Sequence, residues 1–204
     1  YGLSQEQLKR TRMPLGMYTK EEVRALAEKA GIPVANKPDS MEICFIPDKD
    51  YARFIEKNSN AVIPKGNYVN TSGEVLGQHK GIIHYTVGQR KGLNLAMGHP
   101  VFVTQIRPET NEVVIGESKD VFSNALCCSK LNAMSVEKFT DGMEVTAKIR
   151  YNHAGAPAVI RRLGEDELQV EFKEPQRAVT PGQAVVFYQN GYVAGGGIID
   201  KIAW

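Results

Sequence analysis

The segment KPDSMEICFIPDKDY, from Lys37 to Tyr51, sets a lone thiol among carboxylates. Cys44 lies between Ile43 and Phe45, with Asp39, Glu42 and Asp48 close along the chain. Cysteine reacts through its thiolate, and negative neighbours raise a thiol's pKa and shrink its thiolate fraction. A reactive Cys44 therefore needs a cation or a helix N-terminus near it in space, and the helix expected to start at Asp48 is one source. The alternative is a structural thiol buried in a short strand, a common fate of free cysteine. The residues alone leave both readings open. Cys127 and Cys128 are adjacent, so on a strand they point to opposite faces and cannot serve one tetrahedral site. No C-x-x-C is present, and His79 and His84 lack metal-site partners at useful spacing, so a metal-free chain is expected.

Two further stretches carry candidate chemistry. GQHKGIIHYTVGQRKGL, Gly77 to Leu93, mixes glycines and cations with His79, His84, Tyr85 and Gln89. Glycine permits close backbone approach, and Lys80, Arg90 and Lys91 could meet phosphate. It has neither a Walker pattern nor the strand–G-x-G-x-x-G–helix context of a dinucleotide site. A glycine-rich bend between exposed strands is the competing reading. In KIRYNHAGAPAVIRR, Arg150 and Tyr151 could supply a cation and a stacking face to RNA, or Tyr151 could be a strand-end aromatic half in the core. In TPGQAVVFY, Gln183 follows a Pro-Gly turn, where its amide could read a base or cap a loop.

The totals are permissive. The chain has 204 residues, 42% of them apolar, a formal net charge of +2 and three cysteines. That length allows one large domain or two to three small ones. No apolar run is long enough to span a membrane, and the start of the chain has no signal-peptide pattern. So few cysteines make no disulfide framework, and a reducing, cytoplasmic location is the default. The small net charge hides an uneven distribution. Val75–Pro108 and Val145–Gly164 contain no Asp or Glu, and Pro175–Ile199 carries Arg177 as its one charge. Such stretches suit a polyanion or are ordinary solvated strand faces.

Elements must position these residues. LSQEQL offers Ser4 as N-cap, Gln7 as its capping-box partner and a Leu3–Leu8 staple; TKEEVRALAEKAG repeats the logic with Thr19 and Glu22. Val23, Leu26, Ala27 and Ala30 form an apolar stripe, Gly31 is a natural helix terminator and Pro33 blocks continuation. DKDYARFIEK predicts a third helix capped by Asp48, and Pro38 and Pro47 bracket an extended cysteine segment. After about Asn60, short β-rich runs alternate with Gly, Asn and Pro. VFVTQI with EVVIG, PAVIRRL with LQVEF, and QAVVFYQ with YVAGGGII read as hairpins, the last closed by Asn190-Gly191. Val145–Tyr151 adds a strand. The pattern restarts near Ser129–Val136, which suggests a boundary there, and short regular strands suggest small barrels or sandwiches.

Taken together, the strings resemble the bacterial tRNA-specific 2-thiouridylases. The matches run in order along the chain: PLG…TKEEVRALAEKAG, KPDSMEICFIPD, GEVLGQHKGIIHYTVGQRKGL, IRYNHAGAPAVI, AVTPGQAVVFY and GGGII. That family uses ATP to activate the 2-oxygen of the wobble uridine of certain tRNAs and replaces it with sulfur. Its members carry an ATP pyrophosphatase domain with a Ser-Gly-Gly phosphate loop, then a central β-rich domain and a C-terminal β-barrel. These residues contain no such loop. The resemblance therefore implies a C-terminal fragment that needs no cofactor of its own, with the ATP and magnesium site and a second catalytic cysteine outside it. YGLSQEQL resembles the tail of a family Tyr-Phe-Leu stretch, from which Gly2 departs.

The resemblance also implies roles. Cys44 falls on the persulfide-carrying cysteine, loaded by a sulfur-donor protein (a cysteine desulfurase or a sulfur-relay protein), and a disulfide with the second cysteine follows sulfur release. Arg150, Tyr151 and Gln183 fall on tRNA contacts. His79, Lys80, Gln89, Arg90 and Lys91 lie in the central domain, with a role in tRNA approach or domain docking, and Cys127 and Cys128 are structural. The implied fold class is α+β, mostly β. Residues 1–60 end the nucleotide-binding α/β domain, 61–130 form the central β-rich domain and 131–204 form an antiparallel barrel that contacts tRNA. A monomer, inactive as a fragment and with a moderately sheltered Cys44, is expected, and a non-catalytic tRNA-binding module is the alternative. The family is also labelled tRNA methyltransferase, but nothing in the sequence resembles a methyl-donor site.

Overall fold

The computed structural model describes residues 1–38, 43–46, 48, 50–60 and 62–203. It divides into two compact units: Gln5–Asn60, and the remainder together with Tyr1–Ser4. Both the mostly β class and the C-terminal barrel match the expectation.

The 5–60 unit holds three helices: α1 (Gln5–Arg10), α2 (Lys20–Lys29) and α3 (Tyr51–Asn58). α2 starts as its sequence dictates. Thr19 Oγ1 accepts the Glu22 N–H at 3.3 Å and Glu22 Oε2 accepts the Thr19 N–H at 2.7 Å, a complete capping box. Those bonds hold the Glu22 carboxyl below the usual carboxylate range. α2 ends in a Schellman pair, Ile32 N–H to Ala27 O and Gly31 N–H to Glu28 O. Its apolar stripe exists, but no residue of α2 is buried. α3 corrects one expectation: its cap is Asp50, whose Oδ1 accepts the Arg53 N–H at 3.0 Å. Asp48 instead accepts the Asp50 N–H, at 3.3 Å, and so braces the cap.

The larger unit contains two sheets. β1 (Gly66–Asn70), β2 (Val75–His79), β3 (Phe102–Arg107) and β4 (Glu112–Gly116) form a mixed sheet in the order β2-β1-β4-β3, with β1 parallel to β4. Its core gathers Tyr68, Tyr85, Leu93, Val103, Val113 and Ile115. The other sheet is a closed barrel of β5 (Phe122–Ala133), β6 (Met143–Lys148), β7 (Ala156–Arg162), β8 (Glu167–Arg177), β9 (Ala184–Gln189) and β10 (Tyr192–Ala203), ordered β10-β5-β8-β7-β6-β9. All its pairings are antiparallel, and closure leaves no free edge. Inward positions alternate along the strands: Leu126 and Cys128, Ala158 and Ile160, Leu168 and Val170, Val185 and Phe187.

The three predicted hairpins form, as β3–β4, β7–β8 and β9–β10. Asn190 and Gly191 take φ of 52° and 82°, the left-handed pair that a two-residue turn of the right twist requires. The expected boundary at 130/131 is not where the sheets change. β5 runs unbroken from Phe122 to Ala133 and pairs with β8 and β10, so the change falls between Gly116 and Phe122. The apparent restart of the pattern has a local cause. Lys130 has a φ of 52°, and the Asp166 carboxylate accepts the N–H groups of Lys130 and Leu131 at 3.1 and 2.7 Å, interrupting the strand's alternation.

Candidate functional site

Cys44 sits in a turn closed by the Ile46 N–H on the Ile43 carbonyl at 2.9 Å. Ile46 anchors the turn by burial, and the Phe45 ring packs on Phe54 of α3 with centroids 5.3 Å apart. Cys44, in the same turn, is exposed. It is therefore neither the buried strand thiol nor the sheltered thiol that the sequence suggested: Ile46 takes the buried position, Phe45 packs on Phe54 while staying exposed, and the sulfur is left to solvent. The Asp48 carboxylate approaches Arg53 at 3.9 Å, which offsets part of its charge. Asp39 and Glu42 lie outside the described residues. Cys127 and Cys128 are both buried in β5. Burial pushes the Cys128 thiol up to about 12 and raises that of Cys127, so both are inert at neutral pH.

The glycine-rich segment separates into scaffold and surface. His79, at 2% exposure, is not on the surface. Its Nδ1 accepts the Gly81 N–H at 3.1 Å, which assigns the proton to Nε2, and Nε2–H donates to the Asn111 carbonyl at 3.1 Å. Asn111 in turn donates its amide to the Lys65 carbonyl at 2.9 Å, so the His79 ring ties the loop after β2 to the β3–β4 turn, and through Asn111 to the residue before β1. Tyr68 and Tyr85 stand edge-on to His79 with centroids 5.5 Å away, and the Tyr68 hydroxyl donates to the Leu93 carbonyl at 2.9 Å. Desolvation is the main reason the His79 pKa falls below its ordinary value. Expected as a candidate surface contact, His79 instead braces the loop.

Gln89 is spent in the same way. Its Oε1 accepts the Thr86 N–H at 3.0 Å, and its Nε2 donates to the Lys91 carbonyl at 2.9 Å. The Gly88 N–H donates to Val103 O at 2.7 Å and the Val103 N–H to Gln89 O at 2.9 Å, which pins the bend to β3. Lys80, Arg90 and Lys91 remain exposed. A shallow bowl of about 380 Å³ opens beside this bend, between Arg90, Asn94 and His99.

The third group stands on the barrel. Arg150 and Tyr151 occupy the tight bend between β6 and β7, where the His153 N–H returns to the Arg150 carbonyl at 3.1 Å. His153 braces it, accepting the Gly155 N–H at 3.2 Å and facing Gln176 Oε1 at 3.0 Å. Tyr151 is 95% exposed, so it is not half in the core. An aromatic ring held fully in solvent by a braced bend buries nothing for folding and is free to stack. Arg150 is exposed, with its Nη1 on the Arg177 carbonyl at 2.9 Å. Gln183 is exposed in the turn before β9, where its backbone closes onto Thr180 and Ile199.

The acid-free stretches do not survive folding as uniform basic faces. The barrel sets Asp141 and Glu171 at 3.6 and 3.4 Å from Arg161, and Glu112 lies 3.3 Å from Arg107. Arg162 turns onto the Phe139 and Gly164 carbonyls. Among the described residues, Arg90, Lys91, Arg150 and Arg177 have no acid at ion-pair distance. Arg177 is the residue that sequence reasoning missed as a member of this group; its isolation as the one charge in Pro175–Ile199 was the available signal.

Three family models match the chain in sequence order. A tRNA methyl transferase HUP domain covers residues 1–48, a tRNA methyl transferase PRC-barrel domain covers 52–117 and an aminomethyltransferase beta-barrel domain covers 123–199. The third coincides with the closed barrel, and its start agrees with the sheet change before Phe122. Among curated proteins, the chain is 62% identical over 201 residues to the tRNA-specific 2-thiouridylase MnmA of Lachnoclostridium phytofermentans, covering 98% of the chain and 56% of that protein. It is 53% identical over 200 residues to the protein of that name from Acetivibrio thermocellus, covering 98% and 56%. It is 52% identical over 201 residues to that from Carboxydothermus hydrogenoformans, covering 98% and 55%. The chain thus spans a little over half the length of these relatives.

Proposed function

The chain belongs to the tRNA-specific 2-thiouridylase family, and from that premise we propose that it forms the sulfur-carrying and tRNA-docking part of an enzyme that thiolates the wobble uridine of tRNA. The observation that carries this reading is the contrast between the cysteines. Cys44 is exposed, while Cys127 and Cys128 are buried in the barrel strand. A sulfur carrier must be reached by a protein donor, and only Cys44 can be.

In this reading the Cys44 thiolate attacks the outer sulfur of a donor persulfide on a cysteine desulfurase or relay protein. The donor cysteine leaves as thiolate, and Cys44–S–SH is formed. ATP would activate the uridine 2-oxygen, held with magnesium by residues other than these, since the sequence has no Ser-Gly-Gly loop. The terminal sulfur would bond to C2 of the base while the activated oxygen leaves with the group ATP placed on it, and a second cysteine thiolate would then attack Cys44 Sγ, breaking its bond to the transferred sulfur and closing a disulfide with Cys44. Arg150 supplies charge to phosphate, Tyr151 a stacking face and Gln183 an amide at a strand start. By itself the chain neither hydrolyses ATP nor thiolates tRNA.

The test is loading. The chain is incubated with a cysteine desulfurase, relay protein and cysteine, and its intact mass is read. An adduct of one sulfur atom, absent in Cys44→Ser and removed by reductant, is expected. No adduct under conditions that load a full-length relative refutes the carrier role. The second reading, a tRNA-binding module without chemistry, draws on the unpaired cations and Tyr151. RNA binding that weakens with salt, with no sulfur loading, selects it.

A further inference from the structure

Arg177 closes β8 at the point where the mixed sheet meets the barrel. Its guanidinium lies over the Phe102 ring of β3, 5.5 Å from the centroid, and its Nη2 donates to the Gly88 carbonyl at 3.4 Å. Its own carbonyl accepts Nη1 of Arg150 at 2.9 Å. The next residue, Ala178, takes a φ of 57° and donates its N–H to the Val121 carbonyl at 2.8 Å. That left-handed residue is unusual without glycine, and it turns the chain against the bend. Gly88, with a φ of 87°, completes the joint: a Cβ there would stand 2.9 Å from Ala178 Cβ and 3.4 Å from Arg177 Nη1. Only a glycine passes this close to the barrel.

The arrangement links two groups that the sequence keeps far apart. On one side are Arg90 and Lys91, two and three residues beyond Gly88 on the braced bend. On the other are Arg150 and Tyr151, with Arg150 tied to the Arg177 carbonyl. We propose that Arg177 is a positioning residue for RNA binding: its side chain locks the glycine-rich bend to the barrel and holds still the carbonyl that aims Arg150, so that both groups meet one RNA backbone together. This rests on the docking reading above. Arginine suits the place because its planar head stacks on a ring and donates sideways at once; a lysine ammonium does one or the other.

The experiment measures binding of an unmodified tRNA transcript to the chain across salt concentrations, for wild type, Arg150→Ala, Tyr151→Ala, Arg177→Ala, Arg177→Lys and the Arg150→Ala/Arg177→Ala double variant, with circular dichroism as the folding control. Loss of a phosphate contact lowers the salt slope by about 1. Arg177→Ala is expected to lower the slope by more than Arg150→Ala does, because it releases Arg90 and Lys91 as well, and Arg150→Ala is expected to lower it no further in the Arg177→Ala background. Arg177→Lys should behave like the alanine variant despite keeping its charge, so the assignment stays testable if Arg177→Ala folds poorly. Additive losses, or full rescue by lysine, make Arg177 a simple phosphate contact and overturn the assignment. Binding insensitive to Arg150→Ala and Tyr151→Ala refutes the docking reading instead, and the assignment falls with it.

Discussion

Replacing His79 tests whether the glycine-rich segment is a scaffold. In His79→Leu the side chain stays apolar and bulky, but the Gly81 N–H loses its acceptor and the Asn111 carbonyl its donor. Gly81 is buried and Asn111 half-buried. An unpartnered buried polar group costs about 1–3 kcal/mol, with Asn111 near the low end. Two edge-on ring contacts at 5.5 Å, to Tyr68 and Tyr85, add about 0.5–1.5 kcal/mol each. The expected loss is about 3–5 kcal/mol after allowing for non-additivity among neighbours, a large share of the usual ~5–15 kcal/mol of a domain. Urea unfolding followed by tyrosine fluorescence gives the loss, and hydrogen exchange at the Gly81 amide locates it. A loss under about 1 kcal/mol with unchanged Gly81 exchange refutes the scaffold role and returns His79 to the candidate contacts.

The same residue sets a pH dependence whose sign follows from burial. Desolvation depresses the folded-state pKa of His79, His84 adds to that, and the Asn111 bond opposes it. The unfolded chain therefore takes up the proton first. His79 contributes fully to stability above its unfolded pKa of about 6.5, and the contribution is lost as pH falls from there toward the depressed folded value. One titrating group limits this slope to at most about 1.4 kcal/mol per pH unit. His79→Leu should flatten this component, and equal slopes in the two proteins refute it.

Three other outcomes follow from the geometry. Iodoacetamide should modify Cys44 rapidly in the folded chain and reach Cys127 and Cys128 only on unfolding, as read by peptide mass; equal rates at the three sites contradict the burial contrast. Tyr151→Ala should weaken tRNA binding by about 5- to 150-fold, from the ~1–3 kcal/mol of a stacked base, with the salt slope unchanged and phenylalanine rescuing; no rescue by phenylalanine argues against stacking. Gly191→Val forces a β-branched residue to a φ of 82° and should cost at least about 1–2 kcal/mol of barrel stability by urea unfolding, and an unchanged midpoint refutes the turn argument.

What was legible in the sequence was what local rules determine. The Thr19–Glu22 box, the Gly31 stop, the Asn190-Gly191 turn and the alternating barrel strands each follow from a few neighbouring residues. What was not legible depends on residues brought from a distance. The 130/131 boundary misread a kink in β5 that Asp166, 35 residues on, produces by taking two backbone N–H groups. The basic stretch through Arg161 and Arg162 read as a free face because Asp141 and Glu171 oppose it only in the folded barrel. Cys44 read as sheltered on a segment between two prolines, yet burial of Ile46 and the packing of Phe45 on Phe54 hold the turn and leave the sulfur outside.

The segment from Gly77 to Leu93 shows how such a motif divides its labour. Read along the chain, its histidines, glutamine, glycines and cations form one composite suited to a polyanion. In space, the polar groups with fixed geometry are turned inward: the His79 ring on Gly81 and Asn111, the Gln89 amide on Thr86 and Lys91. The groups left outside, Lys80, Arg90 and Lys91, are long, flexible and sequence-blind. Cations of this kind attract a phosphate backbone but do not read bases, and their usefulness depends on how firmly their backbone is held. The bend therefore needs rigidity more than it needs chemistry. Substituting the inward polar groups should weaken RNA binding through the order of the loop, while substituting the outward cations should lower the salt slope and leave stability intact. A variant at Gln89 that lowers the salt slope with no change in amide exchange at Thr86 would break this division.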